Sequence, residues 1–264
     1  IERFKPHVVI TEQFNSVGRN SNFAEFEEHT NAVLGKYRGH SLFHLEYTSP
    51  KQTLELEAMH NAYKKAMETA NIRFIIGKPQ NAIEDFRTVI TAYTQLQATR
   101  QRRLNRRIVK LYEKLIRKKP ELAKLPKVRA LLMYGSLHVP IYHAAVKAGL
   151  NAKMQVETQE IFTGLNRAAS QLMSGVKLNL NDEQVAKTFV EELIAGQVSN
   201  IAGNQSTASA YVAASTRNFT LEQFNRISAA LPNTRGKGTV QERLRQALKQ
   251  EGITIAETEE EPAF

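Results

Sequence analysis

Between Ala130 and Gly149 the chain spells a strand, a turn and a helix in one pass, and no other stretch restricts its fold as tightly. Ala130-Leu131-Leu132-Met133 is an apolar run, Tyr134-Gly135-Ser136-Leu137-His138-Val139 carries the turn, and Pro140 to Ala148 has a helical pattern that Gly149 stops. Ala152-Lys153-Met154-Gln155-Val156 then reads as a further strand. Ligands of open α/β sheets sit just past the carboxyl ends of strands. His138 therefore stands where chemistry tends to concentrate.

Other segments repeat the alternation. His7 to Glu12 is a β-rich run after Pro6, and Ile72 to Ile76 reads as a strand ended by Gly77. Ser41 to Tyr47 fits strand or helix equally. Lys51 to Ala70 predicts a helix, because Leu56, Met59, Tyr63, Ala66 and Met67 recur at spacings of three and four. Pro79 to about Lys119 predicts one long helix or two, with Leu104, Ile108, Leu111, Tyr112 and Leu115 as the buried stripe and Pro120 and Pro126 ending it. Strands alternating with helices predict an α/β fold, a mainly parallel sheet flanked by helices, over residues 1–157. Beyond 157 strand signals vanish, and 158–264 predicts a helical region with an acidic tail, Glu257 to Pro262. Its helices are expected over 181–196, 220–231 and 239–251, with capping boxes at Asn181 and Thr220.

Charge narrows the classes of partner. The net charge is +10, yet residues 100–129 hold thirteen Lys/Arg against two Glu, leaving the rest of the chain near −1. Arg102, Arg103, Arg106, Arg107 and Lys110 form a basic helix face that attracts nucleic acid, phosphate-bearing or acidic partners. The plainer reading is a solvated face. Tyr112, counted in the apolar stripe, offers no stacking platform for bases. With no cysteine, disulfides and thiolate metal sites are excluded. No apolar run reaches the roughly 20 residues of a membrane span, and no charged stretch leads into a long apolar one, so the expectation is a cytoplasmic protein.

Few residues can carry chemistry. A neutral imidazole at His138 can bind a divalent metal or act as a general base; the alternative is a histidine that only hydrogen-bonds the turn. Glu12, closing the first strand, can coordinate a metal or orient an attacking water; alternatively, its charge favours the start of the next helix. If the two strands are parallel neighbours, Glu12 and His138 leave the sheet at one edge. His143 lies five residues after His138, which is not one helix face. His40 and His44 could share a metal only on a helix, and the intervening Ser41-Leu42-Phe43 looks β-like. There is no nucleotide-binding glycine fingerprint, no Gly-x-Ser-x-Gly elbow, and Thr234-Arg235-Gly236-Lys237-Gly238 lacks Walker spacing.

The pattern Lys5-Pro6-His7-Val8-Val9-Ile10-Thr11-Glu12, then Leu104-Asn105-Arg106-Arg107-Ile108 and Lys127-Val128-Arg129-Ala130 running on to Gly135-Ser136-Leu137-His138, resembles the TraB/PrgY-like group, related to GumN, Tiki, erythromycin-esterase and ChaN-type proteins. The resemblance covers 1–157. It matches Glu12 to the glutamate closing the family's valine-rich strand, His138 to its Gly-x-x-His histidine, and Arg106 to the arginine at a helix start. The family's Gly-Thr-x-His strand has no match within these residues, and Gly77-Lys78 stands where several members have Asp-Arg. The resemblance implies a metal-dependent hydrolase or peptidase, or a regulator of peptide signals. Glu12 and His138 would then serve as metal ligands or acid/base groups, and Arg106 would stabilise an oxyanion formed from a peptide or small-molecule substrate. The alternative is a non-catalytic protein that binds through the 100–129 helix.

Overall fold

The computed structural model describes residues 6–11, 41–44, 49–133, 138–154, 163–198, 205–232 and 239–253. It divides into two compact units, one of residues 1–57 and 99–154, the other of 58–98 and 155–264. The sequence division at 157 falls near one of these boundaries but does not separate 58–98, a segment that the contacts assign to the second unit.

Among its described residues the first unit holds three strands of four residues each, β1 (Val8–Thr11), β2 (Ser41–His44) and β3 (Ala130–Met133). They form a parallel sheet in the order β2-β1-β3, with Thr11 in register with both His44 and Met133. The central strand is buried on both faces, as Val8, Val9 and Ile10 are each at most 1% exposed. That explains its unbroken apolar sequence. Val8 and Ile10 pack in one core with Leu104 and Ile108 of helix α2 (Pro79–Val109), Leu111 and Leu115 of α3 (Leu111–Lys118), and Ile141 and Ala145 of α4 (Val139–Lys147). The helical stripe is therefore Leu104, Ile108, Leu111 and Leu115. Tyr112, expected in it, is 51% exposed instead. It adjoins Leu111, whose side of the helix faces the core, and so falls about 100° away around the axis.

Helices make up most of the described residues, and the expectation of an α/β sheet flanked by helices is corrected accordingly. One expected strand is a helix, and another is not formed in its described part. Ile72–Ile76 instead completes α1 (Pro50–Ile75), because Ala70 and Phe74, four apart, are both buried while Ile72 and Ile76 point outward. Gly77, at φ +75°, then ends a helix rather than a strand: its N–H donates to the Phe74 carbonyl (3.2 Å) and that of Lys78 to the Arg73 carbonyl (2.9 Å), a pair of bonds typical of a glycine helix stop. Ala152 to Met154 carries no strand, and Gln155 and Val156 lie outside the described residues.

The second unit is helical among its described residues. Phe74, Phe86, Phe189 and Phe224 are almost fully buried, with Phe86 stacked on Phe189 at 4.4 Å and Phe74 tilted against Phe224 at 4.8 Å. Burying each such ring stabilises the unit by about 1.5–3 kcal/mol. Around them lie α5 (Gly164–Met173), α6 (Asp182–Val198), α7 (Gln205–Ser215), α8 (Leu221–Ala230) and α9 (Val240–Gln250). The expected capping boxes are present. Asn181 and Gln184 exchange side-chain to backbone bonds at 2.9 and 3.0 Å, and Thr220 and Gln223 do likewise. Among the described residues no helix is long and apolar enough to cross a membrane.

Candidate active site at the carboxyl edge of the sheet

His138 precedes α4 as its N-cap residue, and Pro140 fits the first turn, where a missing N–H removes no helix bond. The imidazole is 7% exposed. Its Nδ1 lies 2.9 Å from Oε1 of Gln101, itself 4% exposed on α2. The Gln101 amide donates through Nε2 to Oδ1 of Asn105 at 2.7 Å, one turn further along the same helix. With the amide so oriented, Oε1 faces the ring and can only accept, so the bond requires Nδ1 to donate.

β1 and β3 end in register. Thr11 and Met133 are paired, Glu12 follows Thr11 in the chain, and His138 follows Met133 by five residues. Glu12 itself lies outside the described residues, as do Gly135 and Ser136. His44 stands opposite Thr11 on β2, and a strand there removes the helical spacing that a shared His40/His44 metal would need; His40 lies outside the described residues. His143 is exposed on α4 beside Tyr142.

Arg106 is exposed on α2, five residues beyond Gln101 and so about 140° around the helix from the side that meets His138. The remaining basic residues divide by what they touch. Arg103 pairs with Glu55 and donates to the Gln52 carbonyl (3.2 Å), and Arg107 donates to Oε1 of Gln52 (3.1 Å). Arg102 donates to the nearby Thr99 hydroxyl at 3.2 Å and is exposed, as are Arg106 and Lys110. Val109 is 57% exposed and Tyr112 51%.

Among the described residues no group of three or more histidine, aspartate or glutamate side chains is arranged to hold a metal. His138 is the one described residue of the expected pair, and Gln101 already occupies its Nδ1. The described donors do not complete a metal shell.

Sequence reasoning missed Gln101. Its signal was positional: Ile90, Thr94, Gln97, Gln101, Leu104 and Ile108 step by four and three along α2, and all are buried. Three polar residues thus occupy consecutive places in an apolar stripe. A second cluster was also missed. In the second unit Glu191 accepts from the Gly164 N–H (2.6 Å), from Arg167 (3.0 Å) and from the Thr216 hydroxyl (3.2 Å), and Glu192 accepts from the Leu165 N–H at 2.8 Å. Two adjacent carboxylates thereby hold the start of α5, where the helix dipole favours negative charge. Burial pushes the Glu192 carboxyl up to about 7; the Leu165 N–H opposes that rise and the Glu191 charge adds to it. Burial, and then Glu192, pushes the Tyr63 hydroxyl up to about 12. Elsewhere in this unit a cavity of about 400 Å³ is lined by Phe219, Gln223, Glu251 and Ile253 among others. Its carboxylate is held by Arg226 at 2.8 Å, which lowers the Glu251 pKa.

No protein-family model matches the chain, and neither a curated protein nor a solved structure does.

Proposed function

We propose that the chain is a TraB-like hydrolase of an amide or ester bond in a peptide or small molecule, with a role in regulating peptide signals. The observation that carries this reading is His138: a buried imidazole five residues after the last residue of β3, its Nδ1 2.9 Å from Oε1 of Gln101. In the proposed step Nε2 takes a proton from water as the oxygen adds to the carbonyl carbon, and returns it to the departing alkoxide or amine as the scissile bond breaks. The Glu12 carboxylate orients that water. A metal of the kind that family uses would polarise the carbonyl; the described donors alone do not complete its shell. The test is hydrolysis of p-nitrophenyl acetate and of a quenched fluorescent peptide by the wild type, His138→Ala and Glu12→Ala. Loss of about 10²–10⁴-fold in His138→Ala is expected. Equal rates in wild type and variant would overturn the reading.

A second reading has its own observation. Arg102, Arg106 and Lys110 are exposed, and so are Val109 and Tyr112. That combination of charge with an accessible ring suits a non-catalytic contact to a phosphate-bearing or acidic partner. Binding to heparin or an oligonucleotide that weakens steeply with salt, and is lost in Arg102→Glu/Arg106→Glu, would support it. Salt-independent binding would not.

A further inference from the structure

We propose that Gln101 is the positioning residue of His138, an uncharged acceptor that locks the imidazole in the Nδ1–H tautomer. The inference rests on the reading of His138 as the proton acceptor, and it adds the residue that prepares it. Three observations carry it.

The first is the place Gln101 occupies. It lies in the stripe that continues as Leu104 and Ile108, where a leucine would extend the core without burying a polar group. An amide buried without partners is destabilising by about 1–3 kcal/mol. Both ends of this amide are used, Nε2 on Asn105 and Oε1 on His138. Thr94, also polar in the stripe, satisfies its hydroxyl on the Ile90 carbonyl of its own helix at 2.8 Å. Gln101 spends its oxygen on a ring 37 residues away in the chain.

The second is direction. Asn105 receives the Gln101 Nε2–H and so holds the amide with its oxygen toward the ring. An acceptor at Nδ1 compels that nitrogen to donate and leaves the lone pair on Nε2, the same logic by which outer partners orient metal-bound or catalytic histidines.

The third is charge. A carboxylate in place of the amide would favour the imidazolium, in which both ring nitrogens carry protons and neither can accept one. A neutral amide fixes the tautomer and leaves the ring in the form able to take a proton.

The test is side-chain nitrogen NMR of histidine-labelled protein, read beside hydrolysis of p-nitrophenyl acetate. In the wild type His138 should carry its proton on Nδ1. In Gln101→Leu that signature should shift toward the Nε2–H form that imidazole otherwise prefers, with kcat falling by about 10- to 100-fold and KM little changed. Gln101→Glu should keep Nδ1 protonated. Because Gln101→Glu retains a polar side chain and an acceptor, it serves if Gln101→Leu does not fold. A wild-type His138 protonated on Nε2, or a tautomer unaltered in Gln101→Leu, overturns the proposal. A tautomer that shifts while no variant, wild type included, hydrolyses any probe sustains the role of Gln101 and removes the hydrolase reading instead.

Discussion

Two buried polar clusters divide the molecule, and they use opposite means. At the sheet edge of the first unit a single imidazole meets an uncharged amide, and the chain of bonds His138–Gln101–Asn105 sets which ring nitrogen holds the proton. At the start of α5 in the second unit, two carboxylates are met by two backbone N–H groups, a guanidinium and a hydroxyl. The charged cluster ties one helix end to another helix, and its contribution is to stability. The neutral cluster, in the reading proposed above, controls the state of one ring. Burial of a polar group alone therefore does not mark a functional site; the charge of its partner distinguishes the two.

The comparison breaks most readily at Glu191. Glu191→Ala leaves the Gly164 N–H, Arg167 and Thr216 without their shared acceptor, and the expected loss is about 3 kcal/mol in urea unfolding, at the lower end for a broken buried pair because Arg167 is partly exposed. A loss comparable to that of an average surface substitution would show that the cluster holds nothing.

Glu192 sharpens the contrast through pH. Folded Glu192 keeps its proton up to about 7, against an ordinary value of 4.5, so the folded state binds more protons between those two values. The pKa of the folded state is raised for an acid, so stability is greatest below the lower value and declines as pH rises through the higher one. The full decline corresponds to roughly 3 kcal/mol as an upper bound. Glu192→Gln should flatten it, as read by thermal melting from pH 4 to about 8. A variant with the slope of the wild type would assign the titration elsewhere. Gly164 shows how closely this carboxylate sits, since a Cβ there would lie 2.0 Å from Glu192 Oε1.

The two clusters were not equally legible in the sequence. β1 and β3 could be read because each is a short apolar run, β1 as the buried central strand and β3 as its parallel neighbour. Ile72–Ile76 misled for a physical reason: a β-branched run before glycine satisfies a strand's pattern and a helix's last turn alike, and only Phe74 packing on Phe189 and Phe224 decides it. The misreading adds a strand to the expected sheet and takes a helix end from the second unit. His138 could be read from its place after a strand. Gln101 was hidden by the cations around it, although its spacing from Leu104 and Ile108 carried the signal. Glu191 and Glu192 could not be read, because Gly164 is 27 residues from its partner and nothing local joins them.

At the neutral cluster the expected stability effects are smaller. His138→Ala strands the Gln101 oxygen and should destabilise by about 1–3 kcal/mol. Adding Gln101→Leu to it should recover much of that loss, since the pair then becomes apolar, giving a coupling of about 1 kcal/mol in a double-mutant cycle. Strict additivity would mean that the two side chains do not depend on each other.

The smallest effect on stability is expected at the exposed arginines, where the two functional readings part. Arg102 and Arg106 are exposed, whereas Arg103 and Arg107 bond to Gln52 and Glu55. Arg102→Glu/Arg106→Glu should change unfolding free energy by less than about 0.5 kcal/mol per site, while Arg103→Ala should lower it by up to about 1 kcal/mol, because its partner Glu55 is itself exposed and solvent screens the pair. If the basic face binds an acidic partner, the near-neutral pair of substitutions abolishes that binding, and the more destabilising Arg103→Ala weakens it only in part. If the face is merely solvated, neither changes any binding. A calorimetric titration of oligonucleotide into both variants, at two salt concentrations, separates these outcomes without reference to catalysis.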